Sequence, residues 1–278
     1  MLSGKGGTGK TLVSVNLAAV AGYAMYIDCD VEEPNGRLFF QPQDVECEDV
    51  SVQIPQVDPS RCQGCRICVD FCKFNALAYV NSEVKVFEEV CHSCGGCTLL
   101  CPEKAISERD KQIGQVQRGD SRDVTVLTGI LNPGEASGIP IIKRLLEDAG
   151  EKEYTFIDCP PGSACIVMET ILAADFCLLV AESTVFGVHN LGMVHQLVKL
   201  FHKPFAAVLN KCLAEDNPAE TYCEAEDIEV LATIPYNEEL GLLNSNAGIA
   251  VWEMENYQEL FSDLLRQVKR RVLKCNNS

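Results

Sequence analysis

The chain has 278 residues, 47% of them hydrophobic and 23% charged, with mean hydropathy near zero; this supplies a large core and excludes a disordered or fibrous chain. Its formal charge of -17, from 23 Lys and Arg against 40 Asp and Glu, offers no basic face for phosphate backbones, so nucleic acid is not an expected partner. Sixteen cysteines exceed the needs of an ordinary intracellular enzyme and must be disulfides, metal ligands or a mixture.

No apolar run of signal-peptide length precedes Gly4. The longest apolar stretch, around Ile171 to Ala181, is broken by Asp175 and falls far short of the roughly 20 residues that span a bilayer. A cytoplasmic, reducing setting is expected, with the cysteines serving as thiolates that hold metal.

Gly4-Lys5-Gly6-Gly7-Thr8-Gly9-Lys10-Thr11 fits the phosphate-loop pattern, and Leu12 to Ala21 reads as the helix that follows it. The glycines let backbone N–H groups turn toward phosphate oxygens of ATP, Lys10 reaches the outer phosphates and Thr11 offers its hydroxyl to Mg²⁺. A phosphate loop ordinarily follows a complete strand, and only Met1 and Leu2 precede this one; the expectation is a gene start placed too far downstream. Ala24 to Asp30 is an apolar strand running into two carboxylates. Asp28 is expected as a Mg²⁺ ligand and Asp30, further into the loop, as the residue that orients water.

An insert from 57 to 110 divides the remaining body, 1–56 and 111–278. It holds Cys62-x2-Cys65-x2-Cys68-x3-Cys72 and, 29 residues on, Cys91-x2-Cys94-x2-Cys97-x3-Cys101-Pro102. In the bacterial two-cluster spacing the fourth ligand of each cluster comes from the other repeat. Cys62, Cys65, Cys68 and Cys101 are therefore expected to hold one [4Fe-4S] cluster, and Cys91, Cys94, Cys97 and Cys72 the other. Zinc on C-x2-C pairs is the alternative and leaves the third cysteine of each triplet unexplained. The first repeat has Lys73 where the pattern expects proline.

Tyr154 to Asp158 is a second acidic strand end, with Asp158 expected at the metal's water shell. Strands follow at Phe176–Ala181, Phe205–Leu209 and Val230–Ile234, with helices at Phe186–Phe201 and Tyr257–Leu273. The fold expected is α/β, a parallel sheet flanked by helices with ligands at the strands' carboxyl edge, plus a ferredoxin-like α+β insert. Asn210-Lys211 ends one strand and is a candidate for base recognition. The other cysteines, Cys29, Cys47, Cys159, Cys165, Cys177, Cys212, Cys223 and Cys275, show no paired spacing and are expected mostly as buried small hydrophobes. The final helix carries Lys269, Arg270, Arg271 and Lys274 beside an apolar face; docking on the body is preferred over lying on a membrane.

With the additional lysine Lys5, the loop resembles that of the deviant Walker A ATPases, which include MinD, ParA, the nitrogenase iron protein and Mrp-type carriers. The likeness extends through Asp28-Cys29-Asp30, Asp158-Cys159-Pro160-Pro161-Gly162 and Asn210-Lys211. It implies an ATP-dependent homodimer in which Lys5 crosses to the partner's ATP, Asp30 and Asp158 in switch regions, and Asn210 on adenine with Pro235 nearby. The function expected is a Mg-ATP-hydrolysing homodimer whose closure alters two [4Fe-4S] clusters for an unidentified redox or regulatory protein. The alternatives are a MinD-like positioning switch and an iron-sulfur carrier.

Overall fold

Strands buried on both faces need helices on both sides, and the chain supplies them in alternation. The computed structural model describes residues 1–150, 152–213 and 217–276, with the side chains of Cys275 and Asn276 not described. The phosphate loop enters α1 (Lys10–Ala21), followed by β1 (Ala24–Asp28), the short α2 (Gly36–Phe40) and a long strand β2 (Gln43–Val57). A small lobe holds α3 (Ile67–Phe71), the hairpin β3 (Leu77–Val80) and β4 (Glu83–Val86), a 3₁₀ turn at Glu88–Val90 and α4 (Gly96–Leu100). The chain returns through β5 (Ile106–Ser121) and β6 (Val124–Leu131). It then alternates as α5 (Ile139–Glu147), β7 (Tyr154–Asp158), α6 (Cys165–Ala173), β8 (Cys177–Glu182), α7 (Val185–Leu200), β9 (Phe205–Cys212), α8 (Pro218–Ala225) and β10 (Val230–Pro235). The last elements are α9 (Glu238–Ser245), α10 (Ala250–Glu253) and α11 (Glu255–Asn276).

Side chains alternate cleanly across the sheet. Ala24 and Tyr26 of β1, Leu178 and Val180 of β8, and Ala206 and Val208 of β9 pack with α1 and α11. Met25, Ile27, Leu179, Ala181, Ala207 and Leu209 pack with α5, α6 and α7 on the other face. α11 is a docked helix, as expected: Tyr257, Phe261 and Leu264 are buried, Lys269 pairs with Glu153, and Arg271 pairs with Glu229. Each such aromatic or leucine contributes about 1.5–3 kcal/mol on burial. No helix among the described residues is long and apolar enough to cross a membrane.

The sheet is mixed, which corrects the expected parallel one. Strands run in the orders β2-β5-β6-β1-β7 and β10-β9-β8. β1 pairs in parallel with β6 and β7, and β8, β9 and β10 are parallel, but β5 is antiparallel to both β6 and β2. The reason is mechanical: β2 and β5 are the outgoing and returning legs of a ribbon that carries the lobe, paired from Gln43↔Asp120 to Val57↔Ile106.

Met1 and Leu2 join the two sheets. Leu2 N–H donates to the Leu178 carbonyl at 2.9 Å, Val180 N–H donates to the Leu2 carbonyl at 2.8 Å, and the Met1 ammonium donates to the Ile157 carbonyl at 2.6 Å. Beneath this two-residue bridge lies an apolar groove of about 320 Å³, walled by Phe156 and Phe176 and floored by Leu265 and Val268.

Candidate nucleotide site and cysteine lobe

The glycines of the phosphate loop divide into two kinds. Gly9 caps α1 at φ 95°, and a Cβ there would come within 2.0 Å of the Asn210 amide nitrogen, so both conformation and space require glycine. Gly4 does not face the cleft. A Cβ on it would meet the Asn190 backbone oxygen of α7 at 2.3 Å, so this glycine seats the loop on the helix.

A cleft of about 530 Å³ opens between the loop and α9. It is lined by the predicted residues from Lys5 to Thr11, with Asp30, Asn210, Lys211 and Pro235. The Thr8 hydroxyl is buried without a hydrogen-bond partner, which leaves it available to an anion held by the loop. Asn210 is buried, and its amide donates to the Thr8 carbonyl at 2.8 Å. One amide N–H of Asn210 thus holds the loop. At the far end of the cleft Asn244 has a buried, unpartnered side-chain oxygen beside Tyr236 and Leu240, a polar group that no sequence motif singles out.

Lys5 and Lys211 both bind Glu182, at 2.9 and 2.7 Å, and Lys211 also donates to the Gly7 carbonyl at 2.7 Å. Burial works against ionisation of Glu182, but hydrogen bonds from Lys211 and Lys5 hold its carboxyl below the usual range. Lys5 is thus anchored within its own chain. Glu182 is absent from the expected site, although β8 is a third apolar strand ending in a carboxylate, the same signal that marks Asp28 and Asp158.

Parallel pairing of β1 with β7 puts Asp28 beside Asp158. Lys10 Nζ donates to Asp158 Oδ1 at 2.7 Å, with 7% and 1% of the two side chains exposed, and the Tyr26 hydroxyl donates to Oδ2 at 2.9 Å. Burial opposes the charge on Asp158, yet Lys10 holds its carboxyl below the ordinary value. Asp28 accepts N–H groups from Asp30 at 3.1 Å and Gly36 at 2.8 Å; burial, then the charge of Asp158, push it up to about 7. Neither carboxylate lines the cleft, because both lie beneath the loop and are engaged by protein donors. Of the expected Mg²⁺ and water-orienting groups, Thr11 and Asp30 face the cleft, Asp30 half-buried. Tyr26, which ties Asp158 to the underside of the site, carries no motif that would announce it.

A family profile described as the CobQ/CobB/MinD/ParA nucleotide binding domain matches residues 1–247. The chain belongs to this family. An uncharacterized protein of Methanocaldococcus jannaschii is 26% identical over 273 residues, covering 90% of this chain and 96% of the relative. Among solved structures, the cell division ATPase MinD of Pyrococcus furiosus is similar with TM-score 0.59 at 17% identity, covering 97% of each chain. The septum site-determining protein MinD of Pyrococcus horikoshii, complexed with Mg-ADP, has TM-score 0.58 at 18% identity, covering 96% of this chain and 93% of that one. At these identities the structural likeness speaks for the α/β phosphate-loop fold with its flanked, mixed sheet.

On this CobQ/CobB/MinD/ParA family body the cysteine lobe repeats itself in backbone as well as in sequence. α3 and α4 begin after left-handed residues, Arg66 at φ 65° and Gly95 at φ 71°, and end on Cys72 and Cys101 in extended conformation. Ala76 N–H donates to Cys72 Sγ and Ala105 N–H to Cys101 Sγ, both at 3.3 Å. Cys72, Cys91, Cys94 and Cys97 line one cavity of about 90 Å³. Cys62, Cys68, Cys72, Cys97 and Cys101 pack into a small apolar core with Leu77, Val84 and Ile106, and Cys65 is exposed. Among the described residues no three Cys, His, Asp or Glu side chains are close enough to ligate a single ion. Elsewhere Cys29, Cys159, Cys177, Cys212 and Cys223 are buried as expected, whereas Cys47 and Cys165 are exposed; the Cys275 side chain lies outside those described.

Proposed function

We propose that this protein binds and hydrolyses Mg-ATP as a homodimer and couples the nucleotide state to two [4Fe-4S] clusters, residues 57–110 acting as the cluster-bearing unit. The observation that carries the reading is the pairing, in one chain, of a phosphate-loop cleft with a separate cavity lined by the four thiols of one expected cluster set. Cys72, Cys91, Cys94 and Cys97 would hold that cluster and Cys62, Cys65, Cys68 and Cys101 the other. N–H groups donate to the Cys72, Cys91 and Cys101 sulfurs, which supports the reading because anionic thiolates accept such bonds. Bound clusters would supply one-electron chemistry at low potential.

In the body, Lys10 and the orphaned Thr8 hydroxyl would meet the phosphates at the amino end of α1, and Thr11 would hold Mg²⁺, which supplies charge neutralisation of the outer phosphates. A phosphate that drew Lys10 away would leave Asp158 with the Tyr26 hydroxyl as a side-chain donor, beside Asp28. Asp30 orients the attacking water, and Lys5 crosses to the partner's ATP on leaving Glu182.

Iron and acid-labile sulfide analysis of anaerobically purified protein should give two four-iron clusters per chain, half that in Cys94→Ser, with a midpoint potential that moves on adding Mg-ATP. Zinc in place of iron would overturn the cluster reading; an unmoved potential would leave nucleotide binding and remove the coupling. A second reading, a partner-binding switch without electron transfer, draws on Val185 and Phe186, which are 78% and 77% exposed at the start of α7 beside Glu182.

A further inference from the structure

The lobe is held to the body by more than its ribbon. Lys111, on β5, sends its ammonium to Glu135 Oε2 at 2.8 Å and to the Glu88 carbonyl at 3.2 Å. The same Glu88 carbonyl accepts the N–H of Cys91 at 3.3 Å, so Lys111 grips the turn that places the first thiol of the second cysteine set. Only 16% of the Lys111 side chain and 13% of Glu135 are exposed, so solvent screens this pair far less than a surface bridge.

Glu135 belongs to the connection that follows β6, and that connection is keyed to the nucleotide loop. Val31, next to Asp30, accepts the Leu131 N–H at 2.9 Å. A Cβ added at Gly129 or Gly138 would meet the Val31 methyls at 2.6 or 2.4 Å, so Val31 sits between β6 and the start of α5 with no slack. Asn132 N–H donates to the Ile113 carbonyl at 2.8 Å, which ties the same connection to β5 near Lys111. The loop carrying Asp30 and Val31 hangs from Asp28 through two N–H bonds, and Asp28 neighbours the Lys10–Asp158 pair that nucleotide must disturb.

We propose that Lys111 is a positioning residue which, through Glu135, transmits the state of the Asp30–Val31 loop to the Cys91 loop of the lobe. This rests on the nucleotide-binding reading above, but not on the lobe's being loaded with iron. A ligand shifts such an element only by binding one arrangement better than the other, so the response must appear as a change in the lobe's opening equilibrium.

The test is hydrogen–deuterium exchange of peptides covering 88–101 in the full-length, anaerobically purified protein, with and without Mg²⁺ and a non-hydrolysable ATP analogue. Binding of a fluorescent ATP analogue is followed in parallel. The unaltered chain should change its exchange in this segment by roughly fivefold or more on nucleotide binding, within the usual range of coupling between sites. Lys111→Met and Glu135→Gln should each reduce the change below about twofold, and Lys111→Arg should retain it. A merely structural role for Lys111 would raise exchange equally with and without nucleotide and would overturn the proposal, as would a full response in both charge-removing variants. Absence of nucleotide binding would remove the function and this inference together, whereas binding with no response at 88–101 removes this inference alone.

Discussion

Asp28→Asn tests whether the strand-end carboxylate carries a proton near neutral pH. In the fold Asp28 is raised from 3.8 to about 7, by burial first and by Asp158 second. Each tenfold in proton affinity is worth about 1.4 kcal/mol, so the whole rise corresponds to about 4 kcal/mol between the two protonation states. Because the folded state holds this proton more tightly than the unfolded chain, the contribution is present in full below about pH 4 and is lost as pH rises through about 7. Between pH 5.5 and 7 the unaltered protein should lose about 1–2 kcal/mol of stability relative to Asp28→Asn, which cannot titrate there. The amide keeps the side chain's shape but faces one of the Asp30 and Gly36 N–H groups with a donor, a cost that does not vary with pH. Urea unfolding of nucleotide-free protein in chelator can be followed by Trp252, the single tryptophan, which packs edge-on against Phe40 of α2 and so reads the body rather than the lobe. Stability curves that run parallel over this window would show that Asp28 is ionised throughout and that its two N–H donors outweigh its burial.

Gly9→Ala should abolish nucleotide binding and cost about 1–2 kcal/mol from its left-handed backbone alone, with more from the clash at Asn210, whereas Gly6→Ala, with open space around it, should leave unfolding unchanged; equal thermal shifts in the two would contradict the division of roles in the loop. Glu182→Gln should cost less than about 1 kcal/mol, because its lysine partners are partly exposed, yet tighten triphosphate binding at low salt by freeing Lys5 and Lys211; calorimetric titration at two ionic strengths checks both, and an unchanged affinity would mean the lysines do not serve the phosphates.

Features that demand particular residue types at fixed spacing are legible in the amino-acid sequence. The phosphate loop, the acidic ends of β1 and β7 and the duplicated cysteine runs all fall in this group; at Gly9, for one, the backbone is left-handed and there is no room for a Cβ. The ribbon is harder to read there: Val45 to Glu48 and Val50 to Ile54 alternate apolar and polar, but the two runs are out of phase across Asp49 and Val50, and β2 is exposed along most of its length. The roles of Asp28 and Asn210 escape the sequence for a different reason: their positions stand out, but what a polar side chain does depends on which donors and acceptors reach it. Asp28 is met by Asp30 and Gly36 from its own loop, and Asn210 by the Thr8 carbonyl from the other end of the chain. Glu182 and Lys111 extend the same point. Glu182 stands at an acidic strand end and Lys111 carries no signal, but the partners of each become visible only where the sheet and the ribbon bring two groups to one charge, Lys5 with Lys211 in the first case and Glu135 with the Glu88 carbonyl in the second. A charged residue that holds two separate segments can register the movement of either, which is why the nucleotide loop and the cysteine lobe are best probed at these bridging residues rather than at the motifs that announce them.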